Sequence, residues 1–145
     1  MSKVEDFLSP TEEQSIVNAI QLAEEQTSGE IRVHLELKSN LDAYQRALEV
    51  FFELKMNETQ LQNGVLIYVA VQDRKFAICG DKGINEVVSD DFWDNTKNII
   101  LENFKNNNFA QGLIMGITEA GLQLQKYFPA NERDSNELSN EISKG

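Results

Sequence analysis

An α/β fold, with helices on both faces of a small mixed sheet, is predicted by three observations. Residues 30–37 alternate apolar and polar, residues 64–71 form an unbroken apolar run, and a stretch of helical period lies between them. A strand, helix, strand order makes the two strands parallel. A polar turn after the second strand then returns the chain as an antiparallel hairpin, so the sheet contains both kinds of pairing.

The first helix is announced by Ser9, Pro10 and Glu12: the serine caps free N–H groups, proline needs no donor at the first position, and glutamate reciprocates. Ile16, Val17, Ile20 and Ala23 recur on one face, and Gly29 offers a left-handed exit. In the strand over 30–37, Ile31, Val33, Leu35 and Leu37 alternate with Glu30, Arg32, His34 and Glu36, which predicts one wet face. A helix opening at Ser39 or Asn40 carries Leu41, Tyr44, Leu48, Phe51 and Phe52 as its apolar side, and a loop over 55–63 follows.

The valine-rich run at 64–71 has no polar face and is expected as the central strand, covered on both sides. Gln72, Asp73 and Arg74 separate it from a strand over 75–79, which Gly80 to Gly83 end. After a short turn or helix at 84–88, Ser89 is expected to cap a helix with Asp90 and Asp91 in its first turn, where the dipole favours negative charge. Phe92, Trp93, Ile99, Ile100 and Phe104 would form its buried side. Asn108 with Gln111 opens a last helix bearing Leu113, Ile117, Leu122, Leu124 and Phe128, which Pro129 stops.

The length of 145 residues suits one domain, placed at 1–129, and a polar tail over 130–145 too poor in apolar residues to order by itself. The net charge of −11 disfavours nucleic acid and anionic lipid and favours cations or cationic partners. Residues 1–8 lack the apolar core of a signal peptide, and no segment is long enough to insert in a membrane, so a cytoplasmic chain or a domain cut out of a longer one is expected. The single cysteine, Cys79, excludes an internal disulfide.

Chain direction brings polar residues together. Parallel strands starting at Glu30 and Gly64 share one rim, and the hairpin returns to it, so Glu30, Asn63 and Asp81 become neighbours, with Asp90 and Asp91 close behind. Carboxylates gathered in this way call for a hard divalent cation, Ca²⁺ by preference and Mg²⁺ as the alternative. His34, four extended residues from Glu30, is roughly 13 Å away and outside that shell; it is expected to be an exposed strand residue. Cys79 in an apolar strand is expected to be inert. No Walker loop, EF-hand loop or cysteine-phosphatase arginine is present, and the Gly80-Asp81-Lys82-Gly83 segment suits phosphate only through a bridging cation.

Three segments carry a resemblance: residues 28–33, residues 63–69, and residues 74–84 with Gly80, Asp81 and Gly83. In order and spacing they resemble the TPM domain family, named for a thylakoid lumen protein, a photosystem II repair protein and a receptor modulator, and the likeness runs over residues 8–128. The resemblance implies a sheet between helices, binding of calcium or another divalent cation, weak phosphatase activity in the thylakoid branch, and LemA-like membrane proteins as companions of bacterial members. By position it carries the metal role onto Glu30, Asn63, Asp81, Asp90 and Asp91. The expected function is a cation-regulated, non-catalytic interaction module. The alternatives are a weak metal-assisted phosphomonoesterase and a structural partner of a membrane complex.

Overall fold

In a computed structural model that describes residues 7–130 and 138–145, four strands form one sheet in the order β3-β2-β1-β4. The chain runs α1 (Pro10–Glu24), β1 (Glu30–Glu36), α2 (Ala43–Glu53), β2 (Gly64–Ala70), β3 (Lys75–Gly80), α3 (Lys82–Asn85), α4 (Asp94–Lys105), α5 (Phe109–Gln125) and β4 (Ser143–Lys144). β1 and β2 pair in parallel from Glu30 opposite Gly64 to Glu36 opposite Ala70, and β2 and β3 pair antiparallel. The crossover and the hairpin expected from the sequence are both present.

β2 is buried at all seven positions because each face meets helices. On one side Val65, Ile67 and Val69 join Ile31, Val33 and Leu35 under α1, α4 and α5. On the other, Leu66, Tyr68 and Cys79 pack on Ala47, Val50 and Phe51 of α2 and on Met56. Each large apolar side chain removed from water here contributes roughly 1.5–3 kcal/mol, so the central strand anchors both layers. Ser9 and Glu12 form the expected capping box at α1.

Several expectations change. The polar side of β1 is not wet: Glu30, His34 and Glu36 are buried, because α2 and the end of the chain cover that face. α2 is capped by Asp42, whose carboxylate accepts the N–H groups of Tyr44 and Gln45, and it buries Ala47, Val50 and Phe51. Leu41, Tyr44, Leu48 and Phe52 remain exposed as a stripe beside that buried face. No described glycine has a positive φ, so Gly29 is not a left-handed exit; a Cβ there would lie 3.0 Å from Leu124, which makes close packing the reason for glycine.

Asp90 and Asp91 lie in turns ahead of α4 and not in its first turn. The Ser89 hydroxyl donates to the Asp91 carboxylate and caps no helix; the chain turns once more and α4 starts at Asp94 without a side-chain cap, with Trp93 buried against Gly80. Leu122, expected on the buried side of α5, is exposed. The end of the expected tail is part of the sheet: Ser143 and Lys144 pair in parallel with His34 and Leu35. The remainder of that tail, residues 131–137, lies outside the described residues, as do residues 1–6.

α3 is held by a close backbone approach. Gly83 donates its N–H to Gln62 O at 2.8 Å, and a Cβ at Gly83 would stand 2.5 Å from the carbonyl oxygens of both Gln62 and Leu61. Backbone cannot swing aside as a flexible side chain can, so Gly83→Ala should cost about 2 kcal/mol or more, measured by urea unfolding. Unchanged stability would show that this approach is not tight.

Candidate functional site

Chain direction sets one rim of the sheet. The Glu30 N–H donates to Asn63 O at 3.3 Å and the Asp81 N–H donates to Gly64 O at 2.9 Å, so the starts of β1 and β2 and the end of β3 lie side by side. With strands about 4.8 Å apart, the Glu30 and Asp81 backbones are separated by about 10 Å. The pairing register puts Glu30, Gly64 and Asp81 on the α2 face together.

At this rim Asp81 divides its two oxygens. Oδ1 accepts the Lys82 N–H at 2.7 Å and starts α3, while Oδ2 is buried without a hydrogen-bond partner. A buried carboxylate oxygen left unpaired is costly, and a cation is one way to satisfy it. Asn63 is buried and its amide donates to Ser28 Oγ at 3.3 Å. Glu30 is buried and its Oε1 accepts the Leu138 N–H at 2.7 Å. Where the sequence suggested an ion beside Glu30, the structure places a backbone donor.

The five expected ligands do not form one shell. Among the described residues no three His, Cys, Asp or Glu side chains are grouped so that they could hold a metal ion. Asp90 is exposed and lines a cleft of about 540 Å³ along β3, together with Asp42, Tyr44, Asn85, Trp93 and Lys97. Asp91 is exposed and does not line it. What remains at the rim is Asp81, beside the Gly64 carbonyl that accepts its N–H.

Sequence reasoning missed two groups. Glu24, at the end of α1, accepts the Ile31 N–H at 3.0 Å through Oε2. Burial raises its carboxyl, the Ile31 hydrogen bond opposes that, and the charge of Glu30 adds to it, so its pKa stands at about 7. A carboxylate in the last turn of a helix opposes the dipole, and that was the legible signal.

The second group is the network on β1. Glu36 accepts from Arg46 Nη2 at 2.7 Å, from Arg46 Nε at 2.9 Å and from the Tyr68 hydroxyl at 2.6 Å; its other neighbour, His34 Nε2, is 3.3 Å away. Burial alone would raise the Glu36 carboxyl, but Arg46, Tyr68 and His34 together outweigh it and bring it to about 2. His34, expected to be exposed, is buried, and burial lowers its pKa. Cys79 is buried as its apolar strand implied; burial first, and then the charge of Asp81, push its thiol up to about 11. Such a thiol is a poor nucleophile.

A family model described as the TPM domain matches residues 1–123. The chain is 61% identical to the BA42 protein from the psychrophilic bacterium Bizionia argentinensis, whose NMR structure it matches with a TM-score of 0.93 over 100% of both chains. Two more distant NMR structures share the fold. The N-terminal domain of cg2496 from Corynebacterium glutamicum has 14% identity and a TM-score of 0.65, over 95% of this chain and 80% of that one. The N-terminal domain of a P. gingivalis protein has 15% identity and a TM-score of 0.68, over 88% and 83%. No curated protein matches the chain.

Because the folded state holds the Glu24 proton more tightly than the unfolded chain does, stability is higher at acid pH and falls as pH rises from about 4.5 to about 7. Glu24→Gln keeps an acceptor for Ile31 and removes the titration. Urea unfolding at pH 5 and pH 7.5 should show the native chain losing on the order of 2–3 kcal/mol relative to the variant, and equal pH dependence of the two proteins would contradict this.

Proposed function

The chain belongs to the TPM domain family, and from that premise we propose that it is a non-catalytic interaction module that takes a divalent cation, calcium by preference, at the Asp81 rim. The observation that carries the cation is the buried, unpartnered Oδ2 of Asp81. One carboxylate, with water completing the shell, makes a modest site, suited to an ion that adjusts a surface and not to one required for folding.

The interaction half of the proposal rests on α2. Leu41, Tyr44, Leu48 and Phe52 form an exposed apolar stripe, and Asp42 and Tyr44 at its start also line the acidic cleft of Asp90. A cation at Asp81, next to Gly80 at the end of this cleft, would reduce the negative charge beside the stripe and favour a partner there. Among the described residues no helix is long and apolar enough to cross a membrane, so a membrane-borne partner of the LemA kind would be met through this surface. A phosphomonoesterase built on the same cation would have to activate water, because Cys79 does not supply a nucleophile.

Thermal melting with calcium and then with chelator tests the cation. A ligand at about 100 times its Kd that binds only the folded state adds about 2.7 kcal/mol, which for a domain of this size raises Tm by roughly 8 °C. The native chain should show such a reversible rise and Asp81→Asn should not. A native chain whose Tm is the same with calcium and with chelator would end the proposal.

A further inference from the structure

The outer edge of β1 is longer than the strand that fills it. β1 has seven residues, whereas β4 pairs through Ser143 and Lys144 alone, opposite His34 and Leu35. Glu30 and Glu36 direct their backbone groups toward β2, through Asn63 O and the Val71 N–H. Alternation therefore turns Ile31, Val33 and Leu35 to the outer edge. Gly145 donates to Leu35 O at 2.8 Å, and the Ile31 N–H is taken by Glu24.

The segment that docks here is matched side chain by side chain. Ser143 Oγ lies 2.9 Å from His34 Nδ1. At Gly145 a Cβ would lie 2.9 Å from Glu36 Oε1 and 3.0 Å from His34 Nε2. Glu36 cannot easily yield, because Arg46 and Tyr68 hold both of its oxygens. The edge thus accepts a hydroxyl opposite His34 and requires glycine two residues later.

The chain's own tail leaves the match incomplete. Continuing the register two residues back would put Glu141 opposite Arg32, yet pairing stops at Ser143 and the Glu141 N–H turns to Ser139 Oγ at 3.1 Å. Arg32 Nε is buried and has no hydrogen-bond partner. The tail already covers the edge, since Val33 is fully buried, so a strand that continued the pairing would differ by bringing its carboxylate to this guanidinium.

We infer that the β1 edge is a strand-addition groove for an extended peptide from another polypeptide. The peptide runs parallel to β1 and carries a carboxylate, an apolar residue, a hydroxyl residue, a basic residue that meets Glu13 as Lys144 does, and then glycine. The chain's own Glu141, Ile142, Ser143, Lys144 and Gly145 have this pattern and occupy the groove in part, as a tethered competitor. The family model, which ends at residue 123, includes β1 and stops before this competitor.

The probe is a fluorescent peptide with the sequence of residues 138–145, added to the full-length Ser143→Ala, Gly145→Val double variant, whose own tail is displaced. Fluorescence anisotropy should show saturable binding, at least ten-fold tighter than to the native chain, where the tail competes. Replacing the glutamate of the peptide by glutamine, or its glycine by valine, should weaken binding at least ten-fold. Absence of saturable binding to a variant that keeps its circular dichroism and cooperative melt overturns the proposal, as does equal binding of the valine peptide. If the double variant fails to fold, amide exchange in the native chain decides. Exchange at Ser143 to Gly145 at least ten-fold faster than at Leu66 to Val69 supports a docked and releasable tail, and equal protection overturns it.

Discussion

The polar side chains of β1 point into protein, and most of the molecule on that side is arranged to satisfy them. Glu30, His34 and Glu36 are buried on the α2 face and Arg32 is partly buried between them. A charge removed from water is tolerated only when paired and hydrogen-bonded. Arg46 therefore reaches down from α2 and Tyr68 across from β2 to Glu36, and the end of the chain brings the Leu138 N–H to Glu30 and Ser143 to His34. This helps explain why a polar C-terminal segment adds to the sheet: its polar groups meet buried polar partners, while Leu138 and Ile142 pack on the two apolar clusters.

The same arrangement separates two regions of functional interest. At the rim, Glu30 is engaged by Leu138, so the carboxylate with a free buried oxygen is Asp81. Along the outer edge of β1, Arg32 and Val33 lie beyond the short β4. The cation reading and the peptide reading thus use different side chains, although both follow from strand direction. Asp42 and Tyr44 connect the exposed stripe on α2 to the cleft that Asp90 lines, which reaches Gly80 next to Asp81.

Much of the fold was legible because it rests on local chemistry. Ser9, Pro10 and Glu12 specify the start of α1, the apolar run at Gly64–Ala70 can only be a covered strand, and strand direction put Glu30, Asn63 and Asp81 at one rim. Other features depended on tertiary structure. Alternation at Glu30–Glu36 shows that the two faces differ, but it does not say that the polar face meets water. α2 has more apolar residues than one contact face needs, so Ala47, Val50 and Phe51 were hidden behind larger neighbours. Ser89 resembles a cap, yet the helix starts at Asp94, after Trp93 has been buried. The strand at Ser143–Lys144 has no sequence signature, because its partners lie more than a hundred residues away.

The pair at the centre of this account is Glu36 with Arg46. A double-mutant cycle with Glu36→Gln and Arg46→Met, followed by urea unfolding at pH 7, measures whether burial makes the pair structural. A coupling of about 2 kcal/mol is expected for a bidentate pair shielded by Tyr68 and His34. A coupling below about 0.5 kcal/mol, the level of an ordinary surface ion pair, would contradict the claim that satisfying β1 organises this side of the fold.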